Sequence, residues 1–183
     1  NVLKLFEEMT DALSLYVKQY GKELSGIGFD TWGVDFGLLG KDGALLGNPY
    51  HYRDSRTDSI VEKACKRVSR QEIFEATGIQ FMQLNTLFQL FAMVVQQSPI
   101  LDIADTMLMM PSLFMYFFTG RKVNEFTDAT TTQMYDPRAG TWAYSLLKQI
   151  GIPTDILADI VAPGTIVGDL FPAIAEMTGL GKV

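Results

Sequence analysis

Gly26-Ile27-Gly28-Phe29-Asp30-Thr31-Trp32-Gly33, running on into Val34-Asp35-Phe36-Gly37-Leu38-Leu39, is the stretch that decides how the chain folds. Its first half is short and alternates in character, which reads as a strand. Apolar runs at residues 34–39 and 44–46 flank Lys41-Asp42-Gly43. An Asp-Gly pair between apolar runs marks a β-hairpin, because glycine accepts the positive φ of the tight turn. The expectation is a strand over residues 26–33 and a hairpin over 34–46.

Upstream, Val2, Leu5, Phe6, Met9, Leu13, Tyr16, Val17 and Tyr20 fall at the three-and-four spacing of one helical face, and Gly21 supplies a left-handed stop. Downstream the pattern is helical almost throughout. Asp54, Ser55 or Thr57 can cap a helix carrying Ile60, Val61, Ala64 and Val68, and a short helix over 71–77 stops at Gly78. Further helices are expected over 86–97, around 100–119 with Gly120 as the stop, over 142–150 ending at Gly151, and over 156–161. The most apolar run, 107–118, holds Pro111 and Ser112 and is about half the roughly 20 residues a membrane span needs, so it reads as a buried helix. A strand and one hairpin make a small sheet with open edges. Partner strands are therefore expected outside this sequence or in another chain, with self-association through the open edge as the consequence.

A length of 183 residues with 48% hydrophobic and 20% charged content suits one sizeable core in a soluble globular protein. Fifteen Lys and Arg against 21 Asp and Glu leave a net charge of -6, which repels a phosphate backbone on average, so no nucleic-acid partner is expected. With Cys65 and His51 the only residues of their types, neither an intramolecular disulfide nor a Cys/His zinc site is available, and a cytoplasmic location with no membrane partner fits. No repeat, low-complexity linker or Walker-type phosphate loop stands out.

Several residues carry possible chemistry. Gly33 ends the expected strand, where a missing side chain lets a ligand hydroxyl reach the backbone or simply eases packing. Trp32 can wall a pocket or fill the core. Asp30 and Thr31 suit the hydroxyls of a ligand or strand-end backbone groups equally well. Asp30 and Asp35 sit at an odd separation, on opposite faces of a continuous strand, and so are not expected to form a paired-carboxylate site. The run His51-Tyr52-Arg53-Asp54-Ser55-Arg56-Thr57 is read as capping with a local ion pair, or as pocket shaping. Gln80 and Asn85 can present amides to a ligand, or serve a loop that binds nothing.

Taken in order, residues 28–39, the run 51–57, Thr77-Gly78-Ile79-Gln80-Phe81, Asn85-Thr86-Leu87-Phe88-Gln89-Leu90, Met109-Met110-Pro111 with Thr119-Gly120, residues 124–133 and Pro163-Gly164-Thr165-Ile166-Val167-Gly168 closely resemble the sugar-side motifs of the rhamnulokinases, within the FGGY carbohydrate kinase family. Separated motifs in register over most of the chain make the resemblance specific. It implies an α/β fold: part of a ribonuclease H-like (actin-like ATPase) domain, here mostly helical with a small sheet and a β-hairpin. Residues 1–183 would be a partial N-terminal, sugar-binding domain, with a second, ATP-binding domain outside the chain. The implied reaction is transfer of the ATP γ-phosphoryl group, with Mg²⁺, to the 1-hydroxyl of L-rhamnulose or a similar ketose. The resemblance points to Gly33 as a sugar contact, with Trp32, Thr31, Asp30, Gln80 and Asn85 as further substrate-binding candidates. The phosphate hairpin is expected before Asn1 and the proton-accepting Asp beyond Val183, so this chain alone is expected to bind no ATP or Mg²⁺ and to be inactive. One departure is Ser112, where many relatives carry Asp. The rival readings are a kinase for another ketose such as fuculose or xylulose, and a non-catalytic module binding a sugar or a protein.

Overall fold

Asn1 opens the first helix, α1 (Val2–Tyr20), by accepting the Leu3 amide on its side chain, and Gly21 ends it at φ 89°. This structure is a computed structural model, and it describes residues 1–181 and 183. The apolar stripe of α1 is broader than the surface that covers it. Val2 is buried and Phe6 packs edge-on against Phe117 and Phe118, whereas Leu5 and Tyr20 stay exposed.

Residues 26–33 are not a strand. They run as chain without ladder partners, and regular pairing begins only at β1 (Phe36–Leu39). The break has a local cause: Val34 takes φ 68°, a left-handed conformation that turns the backbone between Gly33 and Phe36. The expected hairpin is present. Gly43 at φ 81° makes the turn, Leu46 donates to the Leu38 carbonyl at 2.9 Å, and Leu39 bridges Leu45.

Beyond the hairpin, Asp54 caps a 3-10 turn (Ser55–Thr57), not the helix itself, and α2 (Ile60–Cys65) starts after Ser59. A capping box between Ser69 and Glu72 opens α3 (Arg70–Thr77), which stops at Gly78, and α4 (Thr86–Val95) follows. The region expected as one helix around 100–119 divides into α5 (Pro99–Ile103), β2 (Thr106–Met109) and α6 (Met110–Thr119). Pro111 explains the division, because its ring bars a helix from continuing back through Met107 and fits only a first helical turn. Next come β3 (Val123–Glu125), α7 (Phe126–Thr131), and a small hairpin of β4 (Tyr135–Asp136) with β5 (Thr141–Trp142). Trp142 therefore precedes α8 (Tyr144–Ile150) instead of starting it. The helix expected over 156–161 is replaced by β6 (Asp159–Val161), whose branched Ile160 and Val161 pair in parallel with β3, and α9 (Pro172–Thr178) closes the order.

β1 and β2 are antiparallel, with Phe36 opposite Met109 and Leu39 opposite Thr106. Every residue of both strands is buried, and their side chains alternate between two apolar layers. Phe36, Leu38, Met107 and Met109 face a core built with Phe88, Phe91 and Leu147, whereas Leu39 and Leu108 face a second with Val2, Leu113 and Phe114. Helices thus cover both faces of the pair, the arrangement of an α/β layer. Full burial of each such side chain stabilises by about 1.5–3 kcal/mol. Gly37 lets α6 sit close on β1, since a Cβ there would lie 2.7 Å from Leu113 Cδ2. Buried Asn124 on β3 ties down β2, accepting from Met109 N at 2.8 Å and donating to Met107 O at 3.1 Å.

Those contacts leave little of the β1–β2 edge open: residues 45–46 lie along β1, and Leu157 bridges Met107 of β2. The outer edge of β6 has no strand partner among the described residues.

Candidate sugar-binding cleft

The unpaired segment 26–33 is one wall of a cleft of about 670 Å³. Facing it are Pro111, Met115 and Thr119 of α6, Glu125, Thr127, Asp128 and Thr131 at α7, and the loop 161–170. The positive φ of Val34 sets this wall apart from the sheet, and a β-branched residue in that region carries strain unless its surroundings hold it. They do so on three sides. Val34 N donates to Thr131 Oγ1 at 3.3 Å, while its carbonyl accepts from Thr86 Oγ1 at 2.7 Å and Gln89 Nε2 at 3.1 Å.

Gly33 lies half-buried on the cleft, and a Cβ there would stand 2.9 Å from Thr131 Oγ1. Its missing side chain thus lets α7 approach the wall closely. Trp32 is 37% exposed on the cleft and donates from Nε1 to Asp35 Oδ2 at 2.8 Å, which fixes the ring. Thr31 and Asp30 line the same wall. Asp35 instead lies 1% exposed beneath it, accepting also from Gln89 Nε2 at 3.0 Å and the Tyr52 amide at 3.3 Å. The Asp30 and Asp35 carboxylates therefore do not converge.

Gln89 is the hub that sequence reading passed over. Its Nε2 donates to Val34 and Asp35 while its Oε1 accepts from Arg56 Nη2 at 2.7 Å, and Arg56 in turn stacks over Tyr50. Burial pulls the Arg56 guanidinium below its ordinary pKa, opposed by the Asp54 charge. In the run 51–57 Asp54 caps a turn and Arg56 props the residue that holds the cleft wall, whereas the expected local ion pair does not form among the described residues. Gln80 and Asn85 are not brought to the cleft. Asn85 is 1% exposed and spends its amide on the Gln80 carbonyl at 2.9 Å and Gln133 Oε1 at 2.8 Å.

Glu125 caps α7, its carboxylate taking the amides of Thr127 at 2.9 Å and Asp128 at 3.1 Å. Asp128 is 9% exposed, and its pKa is pushed up to about 7 by burial, against a hydrogen bond from Thr131 and with help from the Glu125 and Asp30 charges. Among the described residues that line the cleft there is no Lys or Arg. The lining therefore does not fit a triphosphate, and among the described residues no grouping of three His, Cys, Asp or Glu could hold a metal ion. No described helix is long and apolar enough to cross a membrane.

Comparison with known proteins matches the family model "FGGY family of carbohydrate kinases, N-terminal domain" over residues 1–183. A rhamnulokinase of Bacteroides thetaiotaomicron is 39% identical over 183 residues, which is 100% of this chain and 38% of that protein. A rhamnulokinase of Pectobacterium carotovorum is 44% identical over 142 residues, 78% of this chain and 29% of the relative. Among solved structures, a carbohydrate kinase from Novosphingobium aromaticivorans superposes with a TM-score of 0.80 at 27% identity, covering 97% of this chain and 37% of that one. A ligand-bound xylulose kinase from Lactobacillus acidophilus reaches a TM-score of 0.90 at 19% identity, covering 99% and 37%, and shows the shared fold. The chain spans less than two fifths of the length of each of these proteins.

Proposed function

The chain belongs to the FGGY family of carbohydrate kinases, and from that premise we propose that its cleft is part of the sugar pocket of an L-rhamnulose kinase. In this reading the whole protein transfers the γ-phosphoryl group of ATP, with Mg²⁺, to the 1-hydroxyl of the ketose in the cytoplasm. The new bond joins the sugar oxygen to the γ-phosphorus, the bond to the β-phosphate oxygen breaks, and the hydroxyl proton passes to a carboxylate supplied by the rest of the protein. The residues here bind and orient the sugar.

The observation that carries the proposal is the wall of Asp30, Thr31, Trp32 and Gly33, held by Thr86, Gln89 and Thr131 and bordering a cleft with hydroxyls, carboxylates and no described Lys or Arg. Such a lining offers hydrogen bonds to an uncharged polyol and repels phosphate. Trp32, pinned by Asp35, gives the apolar body of a sugar ring a rigid surface. Rhamnulose is favoured over other ketoses by the two rhamnulokinases at 39% and 44% identity.

The test is a coupled assay of the full-length protein on L-rhamnulose, L-fuculose and D-xylulose with ATP and Mg²⁺, alongside the 183-residue chain alone. Preferential turnover of L-rhamnulose by the full-length protein, with none by the chain, is expected. Sugar binding without phosphorylation of any ketose would show a non-catalytic module instead.

A further inference from the structure

We infer that Asp128 is a specificity-determining residue of this cleft, its Oδ2 kept for an oxygen of an uncharged sugar, so that the site accepts neutral ketoses and turns away sugar acids. The inference rests on the reading of the cleft as the sugar pocket.

The side chain lies on the cleft in the first turn of α7, yet it plays no capping role there, because Glu125 already takes the Thr127 and Asp128 amides. Its Oδ1 has a weak claim on Thr131 Oγ1 at 3.4 Å, since that hydroxyl lies nearer the Asp128 carbonyl at 2.8 Å. Its Oδ2 is closed off from solvent and has no hydrogen-bond partner. A carboxyl oxygen in that state is costly unless something pairs with it, and because the residue lines the cleft, a small turn of its side chain would bring that oxygen to a partner there. The position is also next to the proposed sugar contact: Thr131, which touches Asp128, is the residue against which Gly33 packs.

The electrostatics select the form of the group. The charged groups facing it are Glu125 at the start of its own helix and Asp30 on the opposite wall, both carboxylates. With burial they keep Asp128 protonated to about pH 7. A protonated carboxyl donates a hydrogen bond, so its natural partner is a carbonyl, ring or hydroxyl oxygen of a neutral sugar. A sugar carboxylate placed there would meet Asp30, Glu125 and, once ionised, Asp128, with no described Lys or Arg in the lining to offset them.

The experiment is calorimetric titration of the full-length protein and its D128N and D128A variants with L-rhamnulose and with gluconate. Folding of each variant is verified by circular dichroism. D128A should weaken rhamnulose binding by about tenfold or more near pH 6, because a buried donor to the sugar is lost. D128N, whose amide also donates, should recover most of that loss. Wild-type affinity should fall severalfold between about pH 6 and about pH 8.5, and the D128N profile should be flat over that interval. Gluconate should bind far more weakly than rhamnulose to the wild type and gain ground in D128N. Equal rhamnulose binding by wild type and D128A overturns the inference and leaves the sugar pocket standing. Should D128A not fold, a pH profile of D128N matching the wild type overturns it equally. Failure of the wild type to bind any sugar overturns the proposed pocket itself.

Discussion

Replacing Gln89 by Leu tests whether the cleft wall is held from beneath. The side chain is 1% exposed and similar in size to leucine, so the change removes hydrogen bonds without opening a large cavity. Asp35 Oδ1 loses the Gln89 donor at 3.0 Å, and Arg56 Nη2 loses its acceptor at 2.7 Å while Arg56 Nε already has none. Two charged groups, one buried and one largely so, are left poorly paired. Each unsatisfied buried group costs about 1–3 kcal/mol, and breaking a buried charged network reaches about 3–5 kcal/mol, so a loss of about 3–5 kcal/mol is expected. The Val34 carbonyl keeps its bond from Thr86 at 2.7 Å. T86V alone should therefore cost only about 1 kcal/mol, and the double variant should lose at least about 1 kcal/mol more than the two single losses combined, because nothing then holds the Val34 carbonyl. Urea unfolding followed by circular dichroism measures all three, with rhamnulose affinity as the functional readout. A Q89L loss under about 1 kcal/mol, or strict additivity with T86V, would refute the view that this network holds the strained Val34 in place.

Three further outcomes follow from the same geometry. Gly33→Ala should destabilise by about 1–3 kcal/mol and weaken sugar binding, since its Cβ would stand 2.9 Å from Thr131 Oγ1; adding Thr131→Ala should return part of the stability in a thermal melt. Asp128 has a folded pKa of about 7 against an ordinary 3.8, so the native state binds more protons than the unfolded one between those values. Its contribution to stability is then fully present below about pH 4 and lost as pH rises through about 7, at most about 4 kcal/mol in all, and D128N should flatten that part of a stability profile measured by urea unfolding. Finally, the unpaired outer edge of β6 offers free backbone groups, so the 183-residue chain should self-associate at high concentration in sedimentation velocity, and a strict monomer would count against this.

Local chemistry made some of the fold legible and long-range pairing hid the rest. The caps of α1 and α3 and the stops of α1, α3 and α6 are written in residues adjacent to them, as with Gly78 and Gly120, and the Asp42-Gly43 turn is equally local. Residues 106–109 and 159–161 are apolar runs too short for periodicity to separate strand from helix. Their state is set by β1 and β3, far away in sequence, although Pro111 was a readable sign that α6 could not begin much earlier. The site divides the same way. Asp30, Thr31, Trp32 and Gly33 were found as neighbours in sequence and meet on the cleft, whereas Gln80 is exposed away from it and Asn85 spends its amide on the Gln80 carbonyl and Gln133. Asp128 sits inside a recognisable motif, but only burial beside Asp30 distinguishes it from an ordinary helix-capping Asp.

The one place where alternation failed outright, residues 26–33, is also where the cleft lies, and a single cause links the two facts. Had Val34 kept an extended backbone, Gly33 would have continued β1 into the sheet, and its amide and carbonyl would have been committed to a neighbouring strand. The left-handed turn at Val34 withdraws those groups from the ladder and turns the segment towards α7 and the loop 161–170. Strain at a β-branched residue persists only when surrounding bonds outweigh it, and here Thr86, Gln89 and Thr131 provide them from two different helices. The wall is thus preorganised by the same packing that builds the core around α4, so a ligand binding there would not have to order it first.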